Sequence, residues 1–174
     1  STLLVTVTAE LMGSNICSLM LLDDAKQALV IKSTQALSPA YRHKPPIKVG
    51  QSISGRVVQT QQPVSVLDVT KDSGYMYPDL AKREGLRSLL SVPMVMRDRV
   101  IGILNCYTAH EHRFSDEEIR VLSTIANQAA VAIEHTRVLE QALALQRSLE
   151  DRKIIEQAKG ILITELRCSE AEAF

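Results

Sequence analysis

The thiols and imidazoles are the side chains of this chain that could perform covalent or metal chemistry. Cys17, Cys106 and Cys168 form no CxxC pair and no metal-ligand spacing. This sparse set predicts reduced thiols, with those in strands packed as small apolar side chains. A histidine in a polar loop is more often solvated than ligated, although haem ligation stays open. We therefore predict no catalytic residue and no metal site, and we leave the cofactor unassigned. The histidines concerned are His43, His110, His112 and His135.

Tyrosines provide the second kind of candidate site. Tyr41, Tyr75 and Tyr77 stand in irregular stretches of a chain that is poor in aromatic residues. Such tyrosines can stack on a planar ligand and offer it a hydroxyl group, or they can be ordinary packing residues. Asp68 and Ser88 could add polar contacts. These five residues are the predicted ligand pocket.

The elements that must position these residues alternate between short helices and strands. Leu3, Leu4, Val7 and Leu11 have helical spacing, which predicts that they form one face of an N-terminal helix over residues 1–12. Two apolar runs joined by Arg97-Asp98-Arg99 predict a hairpin, in which Pro93 marks a bulge or an unpaired edge. Strands are predicted at 16–22, 28–33, 64–69, 88–96 and 100–107, and short helices after residue 50 and at 78–84.

A long helix is predicted after these strands. Ser115 and Glu118 form a capping box, and the helical pattern runs from Asp116 to at least Gln146 without Gly or Pro. A helix of more than 30 residues cannot lie wholly against one small sheet. A coiled coil with a second copy of the chain would cover its distal half. The predicted dimer residues are Leu139, Leu143, Leu145 and Leu149.

The last residues predict a helix, a break and a new helix. Ser169 and Glu172 form a second capping box, and Phe174 would belong to the apolar face of the output segment. The basic residues Arg152, Lys153 and Lys159 could contact phosphates or could simply be solvated. The 20 basic and 20 acidic residues of the chain cancel, so its overall charge does not point to nucleic acid.

Residues 1–135 resemble a GAF sensor domain. The resemblance rests on VGQSISGRVVQTQQPVSVLDV (49–69), SLLSVPMVMRDRVIGILN (88–105) and FSDEEIRVLSTIANQAAVAIEH (114–135). It implies an α/β (α+β) fold with a GAF/PAS-like antiparallel sheet flanked by helices. It also implies that 38–48 and 70–88 roof a small-molecule pocket.

The segment IIEQAKGILI (154–163), followed by SEAEAF, resembles the start of an ANTAR domain. This resemblance implies a sensor at 1–135, a coiled-coil linker at 136–151 and a partial ANTAR domain at 152–174. The family acts as dimers that bind paired-hairpin RNA in transcription antitermination. The long helix would lead into this partial helical output domain.

Two other functions remain open. A GAF domain whose pocket is filled by its own side chains would act only in dimerisation. A free methionine sulfoxide reductase would need cysteines in a pocket loop, whereas Cys17 and Cys106 fall in predicted strands. No apolar run reaches transmembrane length, and the reduced thiols favour a cytoplasmic protein. The resemblance implies a small-molecule ligand and RNA as partners, and the long helix predicts a second copy of the chain.

Overall fold

A computed structural model describes residues 2–36 and 38–172, with side chains described as far as residue 167. The chain forms two compact units, Ser1–Ala132 and Ile133–Phe174. The helices are α1 (Thr2–Met12), α2 (Pro39–Arg42), α3 (Ser52–Thr60), α4 (Pro78–Glu84) and α5 (Asp116–Glu172). The strands are β1 (Ile16–Leu22), β2 (Ala28–Thr34), β3 (Ile47–Lys48), β4 (Val64–Val66), β5 (Ser88–Met96) and β6 (Arg99–Thr108).

The six strands form one antiparallel sheet in the order β3-β2-β1-β6-β5-β4. This confirms the predicted α/β class and the β5–β6 hairpin. Pro93 lies beyond the end of β4, which pairs only with Leu89–Ser91 of β5, and the register shifts immediately afterwards at Met94/Val95. A proline is tolerated here because no neighbouring strand needs its missing N–H group.

The fourth strand is shorter than its sequence pattern predicts. It ends at Val66, whereas the apolar run extends to Val69. Asp68 accounts for the difference, because its carboxylate accepts hydrogen bonds from the N–H and hydroxyl groups of Thr70 and closes a turn.

The first helix buries a different face from the one its sequence predicts. Leu3, Val7 and Leu11 are exposed, and the buried residues are Val5, Thr8 and Ala9. Thr8 donates its hydroxyl hydrogen to the carbonyl oxygen of Leu4, 2.7 Å away, and so can be buried without an unpaired hydroxyl. The predicted helix is confirmed, but its most apolar face is not the one that is buried.

The long helix is confirmed and extends further than expected. Ser115 N donates to Glu118 Oε2 at 2.7 Å, and Glu118 N donates to Ser115 Oγ at 3.1 Å, so the predicted capping box is present. The expected break before Ser169 is wrong, because α5 continues to Glu172. The intervening residues are tolerated in a helix, and an N-cap requires a non-helical backbone that this segment does not adopt. Phe174 lies outside the described residues.

Candidate functional site

A row of polar side chains crosses the centre of the sheet. Asn105 of β6 pairs with Ser18 of β1 on one side and with Ser91 of β5 on the other. Residues directly opposite each other project from the same face of a sheet. From α3, which covers this face, Ser54 Oγ accepts a long hydrogen bond of 3.5 Å from Asn105 Nδ2. Four buried polar residues from four elements therefore meet on one face.

Much of this polar row has no partner within the protein. Within the described chain, Ser18 Oγ, Ser91 Oγ, Asn105 Oδ1 and Tyr41 Oη are buried and accept or donate no hydrogen bond. Buried polar atoms in folded proteins are nearly always hydrogen-bonded, because leaving one unpaired costs about 1–3 kcal/mol. The row therefore has free hydrogen-bonding capacity that is aimed at the inside of the domain.

Apolar residues flank the row on both sides, two positions away along the strands. On one side lie Ile16, Tyr107 and Leu89, which occupy the next same-face positions of the same three strands. On the other side lie Met20 and Ile103. Small-molecule sites are typically of this kind, with a few placed polar groups among apolar ones.

Three tyrosines meet beside the row, on the flank that contains Ile16 and Leu89. The ring of Tyr107 makes edge-to-face contacts with Tyr41, at 6.3 Å between centroids, and with Tyr75, at 6.5 Å. The hydroxyl oxygens of Tyr75 and Tyr107 are 3.1 Å apart. The structure thus brings the predicted residues Tyr41 and Tyr75 together through Tyr107, which the sequence analysis did not select.

The hydroxyl groups of Tyr75 and Tyr107 are neutral. Burial raises the pKa of Tyr75 and of Tyr107 well above the ordinary value for tyrosine, and the neighbouring tyrosine Tyr41 adds to the effect. Each hydroxyl can therefore donate one hydrogen bond and accept others over the whole physiological pH range.

Tyr77 lies at the border of this cluster. Its hydroxyl donates to the carbonyl oxygen of Pro45 at 3.4 Å. The Lys44 ammonium group is 4.4 Å from the ring centroid of Tyr41 and 5.8 Å from that of Tyr77, within the range of cation–π attraction. The loop after α2 thus joins two of the predicted pocket residues.

Asp68 organises its own loop. Hydrogen bonds from Thr70, with a smaller contribution from the Arg87 guanidinium at 3.2 Å, lower the pKa of the Asp68 carboxyl from the ordinary 3.8 to about 2. Because these neighbours occupy both of its oxygens, the arrangement favours a structural role.

Ser88 lies away from the row. It pairs with Thr108, and so faces the opposite side of the sheet from Leu89 and Tyr107. Its hydroxyl donates to Leu67 O at 2.5 Å and accepts from His112 N at 2.8 Å. A ligand role for Ser88 is not favoured by these contacts, and the other ligand contacts of the predicted pocket stay predictions.

The polar row had a signal in the sequence that was not used. Ser18, Ser91 and Asn105 each interrupt an otherwise apolar strand, in ICSLM, LLSVP and ILNCY. A polar residue inside a fully buried strand requires a partner. What the sequence could not provide is the register that aligns the three.

The end of β6 leads directly to the start of α5. His112 lies in the short segment between them, and its Nε2 is 2.9 Å from Glu118 Oε1 in the first turn of α5. Burial raises the pKa of the Glu118 carboxyl, but hydrogen bonds from Ser115 and His112 lower it more, so its net pKa is below the ordinary value. The first turn of α5 is thus fixed to the segment that follows Tyr107 and Asn105.

The second unit is a helix whose side chains are largely exposed. The predicted RNA-contact residues Arg152, Lys153 and Lys159 all face solvent. Arg152 and Lys159 are seven residues apart, so they project from the same side of the helix about 10 Å from each other. The predicted dimer residues are also exposed: Leu139, Leu143, Leu145 and Leu149.

Comparison with known families assigns the first unit. The family model described as GAF domain matches residues 1–134. The chain belongs to the GAF domain family. A second family model, described as ANTAR domain, matches residues 143–174, downstream of the GAF domain. The GAF–ANTAR architecture confirms the resemblance and indicates a regulatory rather than a catalytic protein.

Curated relatives share the GAF region. The phosphoenolpyruvate-dependent phosphotransferase system protein of Salmonella typhimurium is 24% identical over 136 residues, covering 78% of this chain and 18% of the relative. The HTH-type transcriptional activator RamA of Corynebacterium glutamicum is 29% identical over 118 residues, covering 67% of this chain and 38% of the activator. The chain therefore spans well under half of the length of either relative.

Solved structures agree with this fold. The GAF domain of a phosphoenolpyruvate-protein phosphotransferase from Coxiella burnetii has a TM-score of 0.72 and 26% identity, covering 80% of this chain and 83% of that one. A free methionine-R-sulfoxide reductase from Neisseria meningitidis, solved with its substrate, has a TM-score of 0.67 and 21% identity, covering 79% and 78%. The second likeness shows the fold alone.

The described part of the chain lacks two other features. No helix within it has the length and apolar character needed to cross a bilayer. Within residues 2–36 and 38–167, no three side chains of His, Cys, Asp or Glu come together as metal ligands.

Proposed function

We propose that the GAF domain binds a small molecule against the Ser18–Asn105–Ser91 row and thereby controls the RNA-binding activity of the ANTAR module in transcription antitermination. The observation that supports it most directly is the set of buried, unpartnered polar atoms in that row and at Tyr41. A ligand with matching donors and acceptors would satisfy these atoms.

The chemistry of the site favours an uncharged ligand. Asp68 is the only charged side chain among the buried residues of the described part, and its oxygens are occupied by Thr70, Lys71 and Arg87. The row offers only hydroxyl and amide groups, and a buried charge without a counter-charge is strongly unfavourable. A compact neutral molecule with several donors and acceptors, and with a planar part for Tyr107, fits these groups best.

The connection from β6 to α5 supports the coupling. A ligand that contacts Asn105 or Tyr107 touches the last residues of β6. The hydrogen bond from His112 N to Ser88 and the contact of its ring with Glu118 link the next segment to the capping box. Ligand binding can change the output only if the two output states bind the ligand with different affinity.

Dimerisation and RNA binding complete the proposal. Residues 136–151 would pair with a second copy as a coiled-coil linker between the GAF domain and the ANTAR segment, and the leucines there are exposed as such pairing requires. Arg152, Lys153 and Lys159 would contact RNA phosphates. A protein of this kind would act in the cytoplasm.

RNA binding by the full-length protein tests the proposal. A labelled two-hairpin RNA is titrated with and without each member of a panel of neutral amides, nucleobases and polyols. We expect one class to change the RNA affinity by at least about fivefold, in line with ordinary allosteric coupling energies. Asn105→Leu should abolish this change and keep the ligand-free RNA affinity, whereas Gln128→Leu, at an exposed position of α5, should keep both. Binding no tighter than to random RNA would refute the proposal.

The two other functions are less well supported. A reductase would need thiols on the pocket face, but Cys17 and Cys106 are paired on the opposite face from Ser18 and Asn105. A ligand-free dimerisation module would leave the polar row without partners. Absence of any thermal shift with the whole panel, together with an intact dimer, would favour that alternative.

A further inference from the structure

Two cysteines from distant parts of the sequence meet in the middle of the sheet. Cys17 of β1 is the direct register partner of Cys106 in β6. Their sulfur atoms are 2.7 Å apart, and both side chains are fully buried. Neither thiol takes part in the polar row, which lies on the other face of the same strands.

The backbone around Cys17 shows which kind of cross-strand position this is. Its N–H group donates to Gln35 Oε1 at 3.0 Å, and its carbonyl oxygen accepts from Gln35 N at 3.2 Å. Both groups therefore point towards the β2 side and away from β6. Cys17 and Cys106 consequently occupy a non-hydrogen-bonded pair, in which opposite Cα atoms are about 4.5 Å apart. That separation lies within the range of disulfides, so a bond needs little backbone movement.

The Cys17 thiol lies one side chain away from the protein surface. Ser14 Oγ is 3.4 Å from Cys17 Sγ. Ser14 itself is half-buried and lines a surface depression of about 280 Å³, together with Gly13, Thr108 and His110. One side chain therefore separates the sulfur of Cys17 from a depression that is large enough for a small oxidant.

The two thiols are electronically unequal. The hydrogen bond from the Cys106 thiol lowers the pKa of Cys17, burial opposes this, and Ser14 lowers it further. The same hydrogen bond raises the pKa of Cys106, and burial adds to the effect. Cys17, which is nearer the depression, is therefore the better nucleophile.

We propose that Cys17 and Cys106 form a reversible dithiol–disulfide site that is oxidised by a hydroperoxide and reduced by thiol–disulfide exchange with two equivalents of a small thiol, which leave as their own disulfide. The Cys17 thiolate attacks the peroxide oxygen, the O–O bond breaks, and the leaving oxygen takes up a proton to give water or an alcohol. Cys106 then attacks the sulfur of the Cys17 sulfenic acid, and the S–O bond breaks. The released hydroxide combines with the Cys106 proton as water. Each sulfur loses one electron, and the peroxide gains two.

The bond would join the first residues of β1 to the last residues of β6. Those strand ends connect to α1 and to the segment before α5, so oxidation would fix the point at which both helices meet the sheet. The site does not depend on the proposed ligand or on RNA binding, because it uses the opposite face of the sheet.

The test uses the full-length protein with Cys168→Ser, in which no cysteine of this sequence other than Cys17 and Cys106 remains. Reduced protein is treated with hydrogen peroxide, quenched with catalase, alkylated in denaturant and analysed by mass spectrometry. We expect loss of both alkylation sites, a mass decrease of two hydrogens and a linked peptide pair, all reversed by dithiothreitol. The matched variant with Cys106→Ala as well should show sulfenic acid at Cys17 and no mass decrease.

Kinetics distinguish this site from accidental oxidation. Cross-linking of the native protein should accelerate in proportion to peroxide concentration. In the protein that retains Cys168, peroxide could oxidise Cys168 while Cys17 and Cys106 stay fully alkylatable. That result would overturn the proposal. A cross-linking rate that follows global unfolding and ignores peroxide concentration would also overturn it, since the bond would then form only in unfolded chains. Circular dichroism of each variant checks that it folds.

Discussion

The hydroxyl groups of Tyr75 and Tyr107 lie 3.1 Å apart in the interior and join the irregular segment before α4 to the end of β6. Because the segment 70–77 contains no strand or helix, this contact and the ring packing around it give the segment a fixed position over the sheet. The segment thereby covers Tyr107, which borders the polar row.

Tyr75→Phe should lower the free energy of unfolding by about 1–3 kcal/mol, because it leaves the buried Tyr107 hydroxyl without this partner. Urea denaturation measures the loss. The double variant with Tyr107→Phe should cost less than the sum of the single variants, since neither hydroxyl is then left behind. Tyr77→Phe is the control, because its bond to Pro45 is exposed. Additive single effects would contradict the buried pair.

Asp68→Asn should reduce stability at neutral pH, with a difference from the wild type that disappears in acid. The folded pKa of Asp68 is about 2, below its ordinary 3.8. A lowered pKa adds stability above the unfolded value, and this stability is lost as pH falls through the folded value. The difference in urea midpoint should therefore be constant above pH about 4 and shrink towards pH about 2. Asp24→Asn, in an exposed turn, is the control, and an equal pH dependence in both variants would contradict the assignment.

In the proposed dimer, Leu145→Glu should weaken association more strongly than Leu143→Glu, because Leu145 and Leu149 share the seam and the predicted dimer residues Leu139 and Leu143 lie outside it. The two side chains project from nearly opposite sides of α5, because each residue turns the helix by about 100°. Val138, Ala142, Leu145 and Leu149 lie within one narrow stripe, which is the geometry that a two-stranded coiled coil requires. Light scattering across a dilution series measures the effect. Equal loss of dimer in both variants would contradict a single seam.

Gly55→Ala and Gly160→Ala should have opposite effects. A Cβ atom at Gly55 would collide with the carbonyl oxygen of Lys48, whereas one at Gly160 meets nothing within 4 Å. The first change should cost about 1–3 kcal/mol in urea denaturation. The second should stabilise the helix by about 0.5–1 kcal/mol, seen as slower amide exchange around Gly160. A neutral Gly55→Ala would show that α3 can move away from Lys48.

Features specified by neighbouring residues could be predicted from the sequence. The Ser115–Glu118 capping box, the hairpin around Arg97–Arg99 and the isolated Pro93 each depend on a few adjacent positions, and the structure confirms all three. The predicted end of the long helix was wrong because it, too, was inferred from a few adjacent residues. Ser169 and Glu172 have the spacing of a capping box, but that spacing is equally compatible with a helix interior.

The site depends on residues that are distant in sequence. Ser18, Ser91 and Asn105 align only because β1, β6 and β5 pair in one register, and Cys17 meets Cys106 for the same reason. Non-local pairing leaves no trace in local spacing. The buried face of α1 was missed for a different reason, since the hydrogen bond from Thr8 to Leu4 makes a polar residue suitable for the interior.

The register pairing of Ile16 with Tyr107 also determines how the domain would respond to tension. Force applied through α1 and through the start of α5 would pull the two adjacent strand ends apart sideways. The hydrogen bonds between β1 and β6 would then break one after another from this end, and not all at once as they would under shear. A covalent bond at Cys17 and Cys106, one residue further in, would stop that opening at its first step.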